Sequence, residues 1–216
     1  LPDPEERRKP DNVRSASISL AGGRTGTFTT MDVRSQTAAL KIMAKMFWED
    51  STNPLVKNAA TAIVADCAAR DDVCELEAIF NAVKYGTARV AGLKRGLKYM
   101  SDPRSRDYYV SPARLLQLGA DGQTIAGDCD DHAMLCAALA ASLGFRAGVR
   151  AWRQPGEKDF SHVYAVAILP KDGTDDEDSE PYGLDTSADV GDSKPGWEPP
   201  GDDDQVIMAM PEEEDD

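Results

Sequence analysis

The stretch Gly127-Asp128-Cys129-Asp130-Asp131-His132-Ala133-Met134-Leu135-Cys136-Ala137-Ala138-Leu139-Ala140-Ala141-Ser142-Leu143-Gly144 carries the strongest helix signal in the chain. Asp128 is a good N-cap residue, and Asp131 stands three positions later like the acid of a capping box. Ala133, Cys136, Ala137, Ala140 and Leu143 recur at helical spacing, and Gly144 is a natural stop. A helix beginning at Cys129 is therefore predicted. After Gly144 the period changes. Phe145, Ala147, Val149 and Ala151 alternate with Arg146, Gly148, Arg150 and Trp152, which predicts a half-buried strand. His162 to Leu169 is a β-branched and aromatic run, and a short strand is expected around Tyr182 to Asp185, beyond the acidic loop Asp172 to Glu180.

Upstream of this stretch the pattern is helical. Asp32 is placed as the cap of a helix running through Ala38, Ile42, Met46 and Phe47. Ser51-Thr52-Asn53-Pro54 opens a second helix, and Asp71-Asp72 a third that carries Val73, Leu76, Ile79, Phe80 and Val83. Helices first and alternating strands later predict an α+β fold. The expected arrangement is helices from about 32 to 90 and a helix from Cys129, packed on an antiparallel sheet carrying His162 and Asp185. Residues 1–31 read as an extended arm, with a weak alternation at Ala16 to Leu20. Residues 32–190 read as the domain, and 191–216 as an acidic tail with one apolar island, Val206 to Met210.

Composition narrows the function classes. The net charge is −14, yet residues 170–216 hold 18 of the 38 acidic residues and two of the 24 basic ones. The remaining 22 basic and 20 acidic residues make the body nearly neutral. Nucleic-acid binding is not expected from this balance. No apolar run is long enough to span a bilayer, and the N-terminus (LPDPEERRKP) has no apolar core of a secretion signal. Of the four cysteines, Cys67 and Cys74 read as inert buried thiols, which suits a reducing compartment. No C-x-x-C and only two histidines are present, so neither a metal nor a cofactor is expected.

The chemistry lies in Cys129, His162 and Asp185. At a helix start, unpaired backbone N–H groups and the dipole favour a thiolate. Asp128, Asp130 and Asp131 oppose it, and a histidine partner would tip the balance back. A histidine on a following strand and a carboxylate on the next supply the base and orienting group that such a nucleophile requires. The Cys129 backbone N–H is the expected oxyanion donor, and the upstream amide Gln123 is a second candidate. His132, one turn after Cys129, could support the site or compete as a base, but Asp130, Asp131 and His132 read best as helix-start polar residues that hold the loop.

Three ordered blocks resemble the transglutaminase-like superfamily of papain-related cysteine hydrolases: Gly127 to Ala133, His162-Val163-Tyr164 and Gly183-Leu184-Asp185-Thr186. The upstream stretches Ala82 to Tyr85, Lys98 to Pro103 and Ser111 to Leu116 also look like that family, closest to versions encoded by tailed bacteriophages. The resemblance covers about residues 70–190. It implies a papain-like core with Cys129 as nucleophile, His162 as general base and Asp185 as its orienting group. The implied activity is amide or peptide bond chemistry through a thioester, as a protease, amidase or transglutaminase. The implied substrate is a virion protein or cell-wall peptide, in the virion or the host cytoplasm. The alternative is a structural virion component that keeps the fold without catalysis. On either reading, residues 1–31 and 199–216 are expected to dock on virion proteins.

Overall fold

Helix α5 (Cys129–Ser142) is the axle of the molecule, and every residue from Asp131 to Ala140 is buried. Burial on all sides, rather than along one stripe, is the mark of a central helix. Its many alanines allow neighbours to approach closely. In the computed structural model it packs against α1 (Gln36–Ser51), α2 (Pro54–Ile63), α3 (Asp72–Tyr85) and α4 (Pro112–Ala120). It also packs on β6 (Ala147–Trp152) and β7 (His162–Leu169). Residues 13–20, 24–31, 36–102, 107–153, 160–171, 179–187, 193–197 and 207–209 are described. Asp32 and the acidic loop 172–178 lie outside them.

The expected α+β architecture is present. The principal sheet has the order β8-β7-β6-β9, with β8 at Glu180–Leu184 and β9 at Ile207–Ala209, and all its pairings are antiparallel. Helix caps follow the sequence signals. Asn53 accepts a hydrogen bond from Leu55 N–H, Asp71 from Cys74 N–H and Ser111 from Arg114 N–H. Helix α5 ends before Gly144, whose φ of +94° is open to glycine at little cost.

Two expectations are corrected. Asp131 does not close a capping box: its Oδ1 accepts from Val110 N–H at 2.8 Å. It ties the loop before α4 to the start of α5, a demand that only the packed chain reveals. Cys67 and Cys74 are not buried thiols but a disulfide, with Cα atoms 5.7 Å apart. Cys67 lies past the end of α2 and Cys74 in the first turn of α3, so the two face each other across the connection. The argument for a reducing compartment therefore falls away. Within residues 1–31, read in the sequence as an extended arm with a weak alternation, β1 (Val13–Leu20) pairs antiparallel with β2 (Arg24–Met31), and β2 with β4 (Asp107–Tyr109). Residues 207–209 of the tail's apolar island form β9, which pairs with β6 of the same chain. An edge strand presents unpaired backbone groups, and a local segment satisfies them without a partner chain.

Candidate active site

Two short strands deliver the chain to Cys129. β3 (Lys98–Tyr99) and β5 (Ala126–Gly127) pair in parallel, and Met100 N–H donates to the Gly127 carbonyl at 2.9 Å. Gly127 must be glycine because a Cβ there would sit 2.2 Å from Asp131 Oδ2. Asp128 then caps α5 by accepting from Asp130 N–H at 3.1 Å. Cys129 is the first helical residue, so its N–H is among those with no partner inside the helix.

The sheet supplies the rest. His162 opens β7, and Asp185 directly follows β8. In the β7–β8 register Ala165 faces Leu184, so extending the pairing by one residue sets Asp185 beside Tyr164. His162 and Tyr164 share a face of their strand, which makes His162 and Asp185 diagonal neighbours on one face. The imidazole closes the gap, with Nε2–H donating to Asp185 Oδ2 at 2.8 Å. The Asp185 carboxylate is 1% exposed, and its Oδ1 accepts from Ser187 N–H at 3.0 Å.

The sulfur of Cys129 lies at the same end of β7, where the Val163 backbone N–H, one residue beyond His162, favours its anion. That help is outweighed. Burial, then the Asp130 and Asp128 carboxylates, raise the Cys129 thiol well above the usual range. The thiol donates weakly to Asp130 Oδ1 at 3.7 Å. The helix-start effect thus loses to burial and to the flanking acids, which keep the Cys129 thiol protonated at neutral pH. Asp128, Cys129 and Asp130 are also the one group among the described residues whose ligand atoms, all within 4.8 Å of one another, could converge on a cation. Both carboxylates already serve the helix start and the thiol.

His132 is not a competing base. It is 2% exposed, its Nδ1 lies 2.8 Å from Thr186 Oγ1, and burial pushes its pKa down to about 4. Cys136 is buried beneath it, and burial pushes its thiol up to about 12. Gln123 is exposed, in the turn after α4. It lines a cleft with Gly92, Lys94, Arg95 and Gly119, and none of Cys129, His162 and Asp185 lines that cleft. Sequence reasoning missed Lys84 and Ser193. Lys84 Nζ donates to Ser193 Oγ at 2.8 Å, and Ser193 Oγ–H donates to the Asp185 carbonyl at 2.7 Å. A lysine and a serine 109 residues apart leave no local signal.

No known protein family and no curated protein matches this chain. Among solved structures it is similar to a protein of Parabacteroides distasonis described as a "putative protease", at 13% identity and a TM-score of 0.41. The match covers 78% of this chain, which spans 35% of that protein's length. A likeness of this size carries no argument about function. The chemistry therefore rests on the site itself.

Proposed function

We propose that the chain is a cysteine-nucleophile enzyme that cleaves an amide or peptide bond through a thioester, of the transglutaminase-like, papain-related type. The observation that supports this is the hydrogen bond from His162 Nε2–H to the buried Asp185 carboxylate, with the thiol of Cys129, in the first turn of a helix, at the backbone N–H of the adjoining Val163. That bond selects the tautomer in which Nδ1 carries a free lone pair. Because the thiol is neutral at rest, Nδ1 acts as a general base during attack rather than standing as half of an ion pair.

The steps follow. Nδ1 takes the Cys129 proton as the sulfur attacks the carbonyl carbon. The oxyanion meets the Cys129 backbone N–H, aided by the positive end of α5. Collapse breaks the C–N bond, and Nδ1 returns its proton to the departing amine. The thioester then passes its acyl group to water or to a second amine, which Nδ1 deprotonates, and the thiol is regenerated. Water makes the enzyme a protease or amidase, and an amine makes it a transglutaminase.

The likeness of the three motif blocks to phage-encoded versions supports a virion-associated setting, with a virion protein or cell-wall peptide as substrate. The Cys67–Cys74 bond favours the outside of the particle over the host cytoplasm. The test is intact-mass detection of an acyl-enzyme with candidate peptides. Cys129→Ala should abolish the adduct and His162→Ala nearly so. Asp185→Asn should leave weak activity, because that residue orients rather than attacks. An adduct that forms on Cys129→Ala refutes the proposal.

A further inference from the structure

The helix that carries the nucleophile also grips the loop that carries the carboxylate. Thr186, the residue after Asp185, is buried at 3% exposure. Its hydroxyl lies 2.8 Å from His132 Nδ1 and 3.7 Å from Cys136 Sγ, both on α5. The ring of His132 is neutral at physiological pH, so one nitrogen accepts and the other carries the proton. The Lys98 backbone near the ring favours a proton on it. Nδ1 and the Thr186 hydroxyl share one hydrogen bond whose direction follows the ring tautomer, and the Cys136 thiol lies within reach of the same hydroxyl.

This link has a geometric consequence. Asp185 follows the last residue of β8, beyond the ladder that would fix it. Beyond the His162 and Ser187 N–H contacts to its carboxylate, it is held by the Ser193 hydroxyl on its carbonyl and the α5 grip on its neighbour. We propose that His132 is a positioning residue that holds Asp185 in register with His162 through its hydrogen bond to the Thr186 hydroxyl, so that α5 sets nucleophile and orienting acid together. The inference rests on the triad reading above.

The test uses iodoacetamide alkylation of Cys129 across pH in the full chain, which needs no substrate. Thr186→Val keeps the shape and removes the hydroxyl. It should slow labelling at pH 7 about tenfold, the cost of one hydrogen bond of ordinary strength, and shift the pH profile upward. Thr186→Ser should restore both. His132→Leu should resemble Thr186→Val, and the double variant should be no slower than either, because the two act through one link. Wild-type labelling by Thr186→Val, or a double variant slower by the product of the two effects, overturns the inference. His162→Ala separates the two levels. If it leaves the profile unchanged, the triad reading itself fails. If it slows labelling while Thr186→Val does not, only the positioning role fails.

Discussion

At the residue scale, the site is decided by competition between fields. Asp130 and Asp128 raise the Cys129 thiol, after burial, while the Val163 N–H and the helix start lower it. Alkylation of Cys129 should therefore climb with pH through and beyond the ordinary thiol range instead of levelling near neutrality. Asp130→Asn should bring the rise to lower pH and speed labelling at pH 8 severalfold, measured by peptide mass mapping. Cys136 should stay unlabelled in the folded protein, being fully buried with its thiol raised to about 12. His132 makes a separate prediction. Its pKa falls from 6.5 unfolded to about 4 folded, so the unfolded chain binds the extra proton first. Its stabilising contribution is complete above pH 6.5 and is lost as pH falls towards 4. The loss is on the order of 3 kcal/mol. Urea denaturation at pH 7 and pH 4.5 on the wild type and His132→Asn reads it, with the variant showing the smaller pH dependence.

At the element scale, the junction of β5 and α5 is where the backbone is most tightly held. Gly127 presses on the Asp131 carboxylate, which in turn holds Val110 N–H, so helix, strand and the loop before α4 meet at one point. Gly127→Ala forces an added methyl into that contact. It should cost about 1–3 kcal/mol and displace the first turn of α5, read as a lower Tm together with altered Cys129 labelling. A similar tie joins α1 to α4, where Asp50 Oδ2 accepts from Ala113 N–H at 2.7 Å. The helix N-termini are thus anchored by acids from other elements as well as by their own caps.

At the scale of the whole molecule, two features join the peripheral segments to the domain. The Cys67–Cys74 bond closes the α2–α3 connection, with a sequence separation of seven. Closing so short a loop is worth about 2–3 kcal/mol on the chain-entropy account. Reduction should therefore lower Tm while leaving the His162–Asp185 hydrogen bond in place, measured by calorimetry with and without reductant. Strand β9 covers the outer edge of β6. Deleting residues 199–216 should bare that edge and promote self-association, seen by sedimentation. An unchanged monomer would favour the reading of the tail as a segment destined for another chain.

The sequence alone determined what depends on near neighbours. The caps Asn53, Asp71 and Asp128, the stop at Gly144 and the strand His162–Leu169 were legible because helix ends and alternation are written within a few residues. The positions of Cys129, His162 and Asp185 were legible for the same reason, since each stands at the start or end of an element whose period is plain. Only the tertiary structure decided what depends on distant ones. Asp131 turned from cap to clamp because Val110 N–H reaches it. Cys67 found Cys74 because the chain reverses between α2 and α3. The island at residues 207–209 found the β6 edge, and Lys84 and Ser193 came to support Asp185 across 109 residues. Burial, which raises the Cys129 thiol and keeps His132 neutral, is a property of the packed whole, and no local pattern of residues encodes its extent.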